Sequence, residues 1–217
     1  MGLGGILQEL KTEGVLALYH DYRSGRAFDY SGNGNGADQL IAPSVRFTKK
    51  GIASNNSLYP RVINTPSLQA LTIGTIIVKQ QTYVTSNAYA IYKNNQFVLN
   101  HNSALSLMTF SSNVAAATTP FVGGNIAVHG VDFDNAGGIP KYYINGSFYA
   151  NMGAGLTIVS SVDPIYVCFN ASTSYSNCAY LLLFSRKLTA TEHARLYGQL
   201  ENTTWNTKGL PPGPMMP

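Results

Sequence analysis

The sequence predicts an all-β protein: two antiparallel sheets packed as a sandwich, with one short helix near the C-terminus. Three observations carry that reading. About ten short runs are rich in Val, Ile, Leu, Tyr and Phe, and turn residues recur about every ten positions. The period changes to a capped, helical one only after Phe184.

In chain order, residues 5–13 (GILQELKTE) suit a short helix stopped by Gly14. VLALYHDY (15–22) is strand-like and leads into a glycine-rich loop, FDYSGNGNGAD (28–38). LTIGTIIVKQ (71–80) is β-branched and apolar on both faces, as a central strand is. AYAIYKNNQFVLN (88–100) reads as a hairpin, and ALSLMTF (104–110) and NIAVHGVDF (125–133) as two more strands. KYYINGSFYAN (141–151) is the strongest turn signal, because Asn145-Gly146 suits a type I′ turn with positive φ at both central residues. PIYVCF (164–169) and CAYLLLF (178–184) add two strands, whose Cys168 and Cys178 could face each other across a hairpin. Two buried thiols are the expectation there, and a disulfide the alternative. Thr189-Ala190-Thr191-Glu192 is a capping box, and behind it His193, Leu196, Tyr197 and Leu200 share one helical face. The division expected is an N-terminal arm (1–14), one domain (15–201) and a Pro-rich tail (202–217).

Composition excludes several classes. Charged residues are 11% of the 217, and a net charge of +4 is spread thinly, so the basic footprint of a nucleic-acid binder is missing. No run approaches the roughly 18 apolar residues of a membrane span. The opening MGLGGILQELKTEG has no basic region followed by an apolar one, which argues for a protein made and kept in a cytoplasm.

LALYHDYRSGRAFDYSGNGNGA, LTIGTIIVK, NIAVHGVDFDNAGGIPKYYING and AYLLLFSRKLTATEHARLYGQLE occur in an order that resembles the laminin-G-like, concanavalin A-like jelly-roll domains, particularly bacterial and phage members. The resemblance spans about residues 15–200. It implies a jelly-roll sandwich and, commonly, binding instead of catalysis. A shared fold does not supply the function by itself.

Asp29, Ser31 and Asn33, followed by Gly34, place oxygen ligands at alternate positions before a glycine, as a calcium loop begins. Some laminin-G-like domains bind calcium at their rim. The same residues also suit a metal-free turn, since Asp and Asn bond their own backbone. No cofactor is required on this reading; calcium is the one candidate. Asp132 and Asp134 are two apart at a strand end and point the same way, toward a metal, a sugar or plain solvent. The 14 Tyr residues suit sugar stacking or protein interfaces, with Tyr142, Tyr143 and Tyr149, or Tyr83, Tyr89 and Tyr92, as candidate linings. Tyr142 joins Asp132 and Asp134 in the expected ligand site. Catalysis is not expected. Glycoside hydrolysis takes two carboxyls flanking the bond, and Glu9, Glu13, Glu192 and Glu201 all fall at the predicted helices. No nucleophile elbow or Cys/His pair is readable.

The function expected from style, composition and arms is that of a phage virion component, a capsid decoration or surface protein made in the host cytoplasm. Its partners would be capsid or other virion proteins, further copies of itself, and a cell-surface glycan. The alternative is a free lectin-like module.

Overall fold

The structure is a computed structural model. It describes residues 4–40, 46–55, 60–83, 87–102, 107–112, 116–120, 127–167 and 175–204. The N-terminal helix α1 (Gly5–Thr12) precedes β1 (Leu16–Asp21), and a 3-10 turn leads toward the glycine loop. Four short strands follow: β2 (Ala37–Leu40), β3 (Arg46–Thr48), β4 (Gly51–Asn55) and β5 (Pro60–Val62). One helical turn, α2 (Pro66–Gln69), separates them from β6 (Gly74–Tyr83), β7 (Asn87–Lys93) and β8 (Phe97–Asn102). Next come β9 (Leu107–Ser111), β10 (Ala116–Pro120), β11 (Ala127–Phe133), β12 (Lys141–Ile144) and β13 (Ser147–Asn151). β14 (Ile165–Val167), β15 (Tyr175–Phe184) and α3 (Ala190–Asn202) complete the described elements.

The strands form two antiparallel sheets. Sheet A runs β13-β12-β11-β6-β15-β4-β3, with β1 beside β4 on the same edge of β15. Sheet B runs β10-β9-β8-β7-β14-β5-β2. The all-β sandwich is therefore as read from sequence. The hairpin across which Cys168 and Cys178 could face each other is not formed, because β14 lies in sheet B and β15 in sheet A. Cys178 is buried, with Sγ donating to Tyr180 O at 3.4 Å; Cys168 lies outside the described residues.

Two cores result. Between the sheets lie Ile76, Val78, Leu181, Leu183, Phe97, Phe110 and Phe133. Outside sheet A a second cluster joins Ile77, Leu182 and Phe184 to Leu196 and Leu200 of α3 and to Ile6, Leu7 and Leu10 of α1. This explains why YLLLF is continuously apolar: alternate residues face the inter-sheet core and the helical layer. The second cluster contains no residue from sheet B, so the outer face of that sheet stays uncovered by α1 and α3.

α1 corrects the expected arm. Its three apolar side chains are 0–4% exposed. Its polar face is tied to α3 by Arg195–Glu9 at 2.6 Å and by Gln199 accepting from Leu7 N at 3.2 Å. A three-residue apolar stripe cannot form a core alone, but it can complete one made by a distant helix. The tail from residue 205 lies outside the described residues.

The local signals hold where they are strongest. Asn145 and Gly146 have φ of 50° and 78°, the type I′ geometry. A Cβ on Gly146 would also stand 2.7 Å from Tyr197 Cβ, so the hairpin tip can rest on α3 only as glycine. Thr189 and Glu192 form the capping box, with Glu192 N to Thr189 Oγ1 at 3.2 Å and Thr189 N to Glu192 Oε2 at 2.7 Å. No helix among the described residues is long and apolar enough to cross a membrane.

Candidate functional site

The glycine loop acts as a substitute strand along the free edge of β1. Tyr30 N donates to Tyr19 O at 2.8 Å, while the Asn33 and Asn35 amides donate to Leu16 O and Ala17 O at 2.7–3.1 Å. Asp29 accepts three backbone N–H groups, from Tyr19, Ser31 and Asn35, at 2.9–3.1 Å. Ser31 Oγ accepts from Asn33 N at 3.2 Å. Donors thus converge on the carboxylate where a calcium ion would need oxygens, and Asn33 presents its NH2 to the chain. Asp29, Ser31 and Asn33 fit an edge-covering turn and do not fit a cation. Among the described residues no group of three His, Cys, Asp or Glu is placed to hold a metal. We expect EDTA to leave the melting temperature unchanged. Asp29→Ala, which strands three buried N–H groups, should lower stability by about 2–3 kcal/mol, read from urea unfolding. A large shift on chelation would show a metal the loop geometry does not suggest.

The structure separates Asp132, Asp134 and Tyr142. Asp132 is 3% exposed and faces α3: it accepts from Thr75 Oγ1 at 2.5 Å and pairs with His193 Nε2 at 3.0 Å. Tyr143 stacks on the His193 ring, centroids 3.7 Å apart, and burial and Asp132 push its phenol up to about 12. Asp134 closes the next turn, accepting from Ala136 N and Gly138 N at 3.1 Å and pairing with Lys187 at 2.7 Å. The Lys187 hydrogen bond leads in holding its carboxyl below the usual range. Tyr142 lies inside the sandwich at 0% exposure, its hydroxyl 2.6 Å from His129 Nδ1. A ligand face built from these three is therefore corrected: two are buried on opposite sides of sheet A, and the third is a turn residue.

His129 carries a pH consequence. Burial, with His101 adding to it, lowers its pKa from 6.5 to about 3. A folded-state pKa below the unfolded one means that stability is full above pH 6.5 and is lost as pH falls toward 3. His101 and His20, also lowered by burial, act with the same sign. The melting temperature should fall steadily between about pH 7 and pH 4, and His129→Gln should shrink that fall. An unchanged slope in the variant would refute the assignment.

The outer face of sheet B gathers a cluster of three tyrosines from adjacent strands. Tyr89 and Tyr92 of β7 and Tyr166 of β14 are half-buried, with centroid separations of 6.0 Å (Tyr89–Tyr92) and 6.1 Å (Tyr92–Tyr166). Alternation alone would send Tyr89 and Tyr92 to opposite faces. A bulge between Tyr89 and Ile91 brings them together and turns both Ala90 and Ile91 into the core. Tyr92 Oη donates to Asn94 Oδ1 at 3.1 Å, and Arg61 lies in register with Tyr166. Burial is the leading cause that raises the Tyr92 pKa, so the ring is neutral at physiological pH. Sequence reasoning named Tyr89 and Tyr92 among candidates but missed Tyr166 and Arg61, which only the β7-β14-β5 order brings near. Tyr83 has no described side chain, Tyr143 is buried, and Tyr149 is 50% exposed on the edge strand.

No family model matches the chain, and no curated protein matches it by sequence. Solved structures do. The binding domain of Paraclostridial Mosquitocidal Protein 1 is similar with a TM-score of 0.69 at 13% identity, over 89% of this chain and 53% of that one. The botulinum neurotoxin serotype D ligand-binding domain, solved with N-acetylneuraminic acid, is similar at 0.67 and 11% identity, over 90% and 53%. Trypanosoma rangeli sialidase, solved with sialic acid, is similar at 0.65 and 12% identity, over 87% and 33%. The chain thus spans about half the length of the toxin domains and a third of the sialidase, and the likeness is one of fold: a two-sheet, jelly-roll-like sandwich.

Proposed function

We propose that this protein is a non-catalytic glycan-binding module whose binding face is the outer side of sheet B. The observation that carries the reading is the cluster of Tyr89, Tyr92 and Tyr166, three rings on a sheet face that neither α1 nor α3 covers. Sugar rings present C–H faces and rim hydroxyls, and Tyr offers an apolar face with a polar tip to match. Solved sandwiches of similar fold include toxin binding domains, and one of these and the sialidase were solved with a sialic acid, which supports a binding role without placing the sugar. A virion surface location, with capsid or other virion proteins and further copies as partners, remains a compatible proposal. It has lost one support, because α1 is packed and not a free arm.

Screening the free protein on a glycan array tests the reading, followed by titration of the best ligand against Tyr92→Ala. Affinity should fall about ten-fold while melting stays near that of the parent. A blank array, or full affinity in the variant, would overturn it.

A further inference from the structure

Resting on that glycan-binding reading, we infer that the ligand is an extended chain of neutral sugars lying across the strands, not a single acidic terminal sugar. Strand register carries the inference. Tyr89 is opposite Asn100, Asn100 opposite Thr109, and Thr109 opposite Thr118, so one row crosses β7, β8, β9 and β10. A parallel row runs from Tyr166 through Tyr92 and Val98 to Ser111, crossing β14, β7, β8 and β9. Both rows lie on the outer face, because the intervening Leu99, Met108, Phe110 and Ala117 fill the inter-sheet core.

The two rows divide by chemistry. The β14–β7 end offers aromatic faces, and the β8–β10 end offers the hydroxyls of Thr109, Ser111 and Thr118 beside Val98 and the Asn100 amide, whose Oδ1 is buried. The first suits the apolar face of a pyranose; the second suits its hydroxyls. Between β14 and β10 no side chain of either row is charged. An anionic sugar lying over the β7–β10 stretch would lose water without a compensating charge, which disfavours it along the length of the face. Arg61 continues the second row on β5, directly opposite Tyr166, so a charged group has a counter-charge only at that end of the face.

Extent fixes the ligand's length. From β14 to β10 there are four strand spacings, roughly 19 Å at about 4.8 Å each. A pyranose repeat is close to one spacing, so about four or five sugars fill the face. A disaccharide can cover only one end.

Calorimetric titration with cello-, xylo- and manno-oligosaccharides from disaccharide to hexasaccharide, and with 3′-sialyllactose, tests the inference. In at least one neutral series affinity should rise about ten-fold from disaccharide to pentasaccharide, then level off, with little change between low and high salt. Thr109→Val keeps shape and removes one hydroxyl. It should weaken the pentasaccharide about five-fold and leave the disaccharide unchanged, while Tyr92→Ala weakens both. Equal affinity for short and long oligomers, or salt-sensitive binding of sialyllactose above every neutral chain, would overturn the inference and leave the glycan reading intact. Binding of none of them, with a blank array, would overturn that reading and this inference with it.

Discussion

A chain lacking residues 1–13 should lose most of its folding stability. The segment brings Ile6, Leu7 and Leu10, all buried, into the helical layer over sheet A. Full burial of such side chains is worth about 1.5–3 kcal/mol each, so about 5–9 kcal/mol is at stake as an upper estimate. Total stability of a domain is about 5–15 kcal/mol. Removal also exposes Leu196, Leu200, Leu182 and Phe184, an apolar patch prone to association. Leu10→Asp should mimic the deletion through a single buried charge, whereas Glu9→Ala should change melting little, because the Glu9–Arg195 pair is exposed. Differential scanning calorimetry of the three variants checks this. A truncated chain that melts like the parent would restore the independent arm.

Asp132→Ala should be the most damaging point substitution on the outer side of sheet A. One carboxylate there serves Thr75 Oγ1 and His193 Nε2, and Thr75 Oγ1 in turn accepts from Leu188 N at 3.0 Å, just before α3. The hydrogen bonds therefore pin the start of α3 to β6 and β11. Removing the acceptor leaves a buried hydroxyl and a buried imidazole without it, at a cost of about 3–5 kcal/mol. For a chain of this length that corresponds to a fall of about 6–20 °C in melting temperature. Glycan affinity should be unchanged in the folded fraction, because Asp132 faces away from sheet B. The reverse result, normal melting with lost binding, would make Asp132 a ligand residue as its sequence position first suggests.

What the sequence disclosed was local chemistry. The Asn145-Gly146 turn, the Thr189–Glu192 capping box and the strand character of YLLLF each depend on neighbours within a few residues, and each appears in the structure. Long-range packing was not legible. α1 looks like an arm until Leu196 and Leu200 are brought beneath it, and Asp132 looks like a solvated strand end until His193 covers it. Residues 37–62 hold four strands of three to five residues, too short and too mixed with turn residues to show a period. The candidate face depends on a one-residue bulge at β7, which reverses the side on which Tyr89 falls relative to Tyr92. No propensity marks that bulge, because Ala90 is ordinary in a strand and becomes informative only once its burial is known.

NMR titration with the best ligand from the array tests the central claim most directly. On the account given, the shifts should move at Tyr89, Tyr92, Tyr166, Asn100 and Thr109, and stay fixed at Asp29, Asn33, Asp132 and Asp134. Shifts confined to the glycine loop or to the α3 side of sheet A, with sheet B silent, would contradict it.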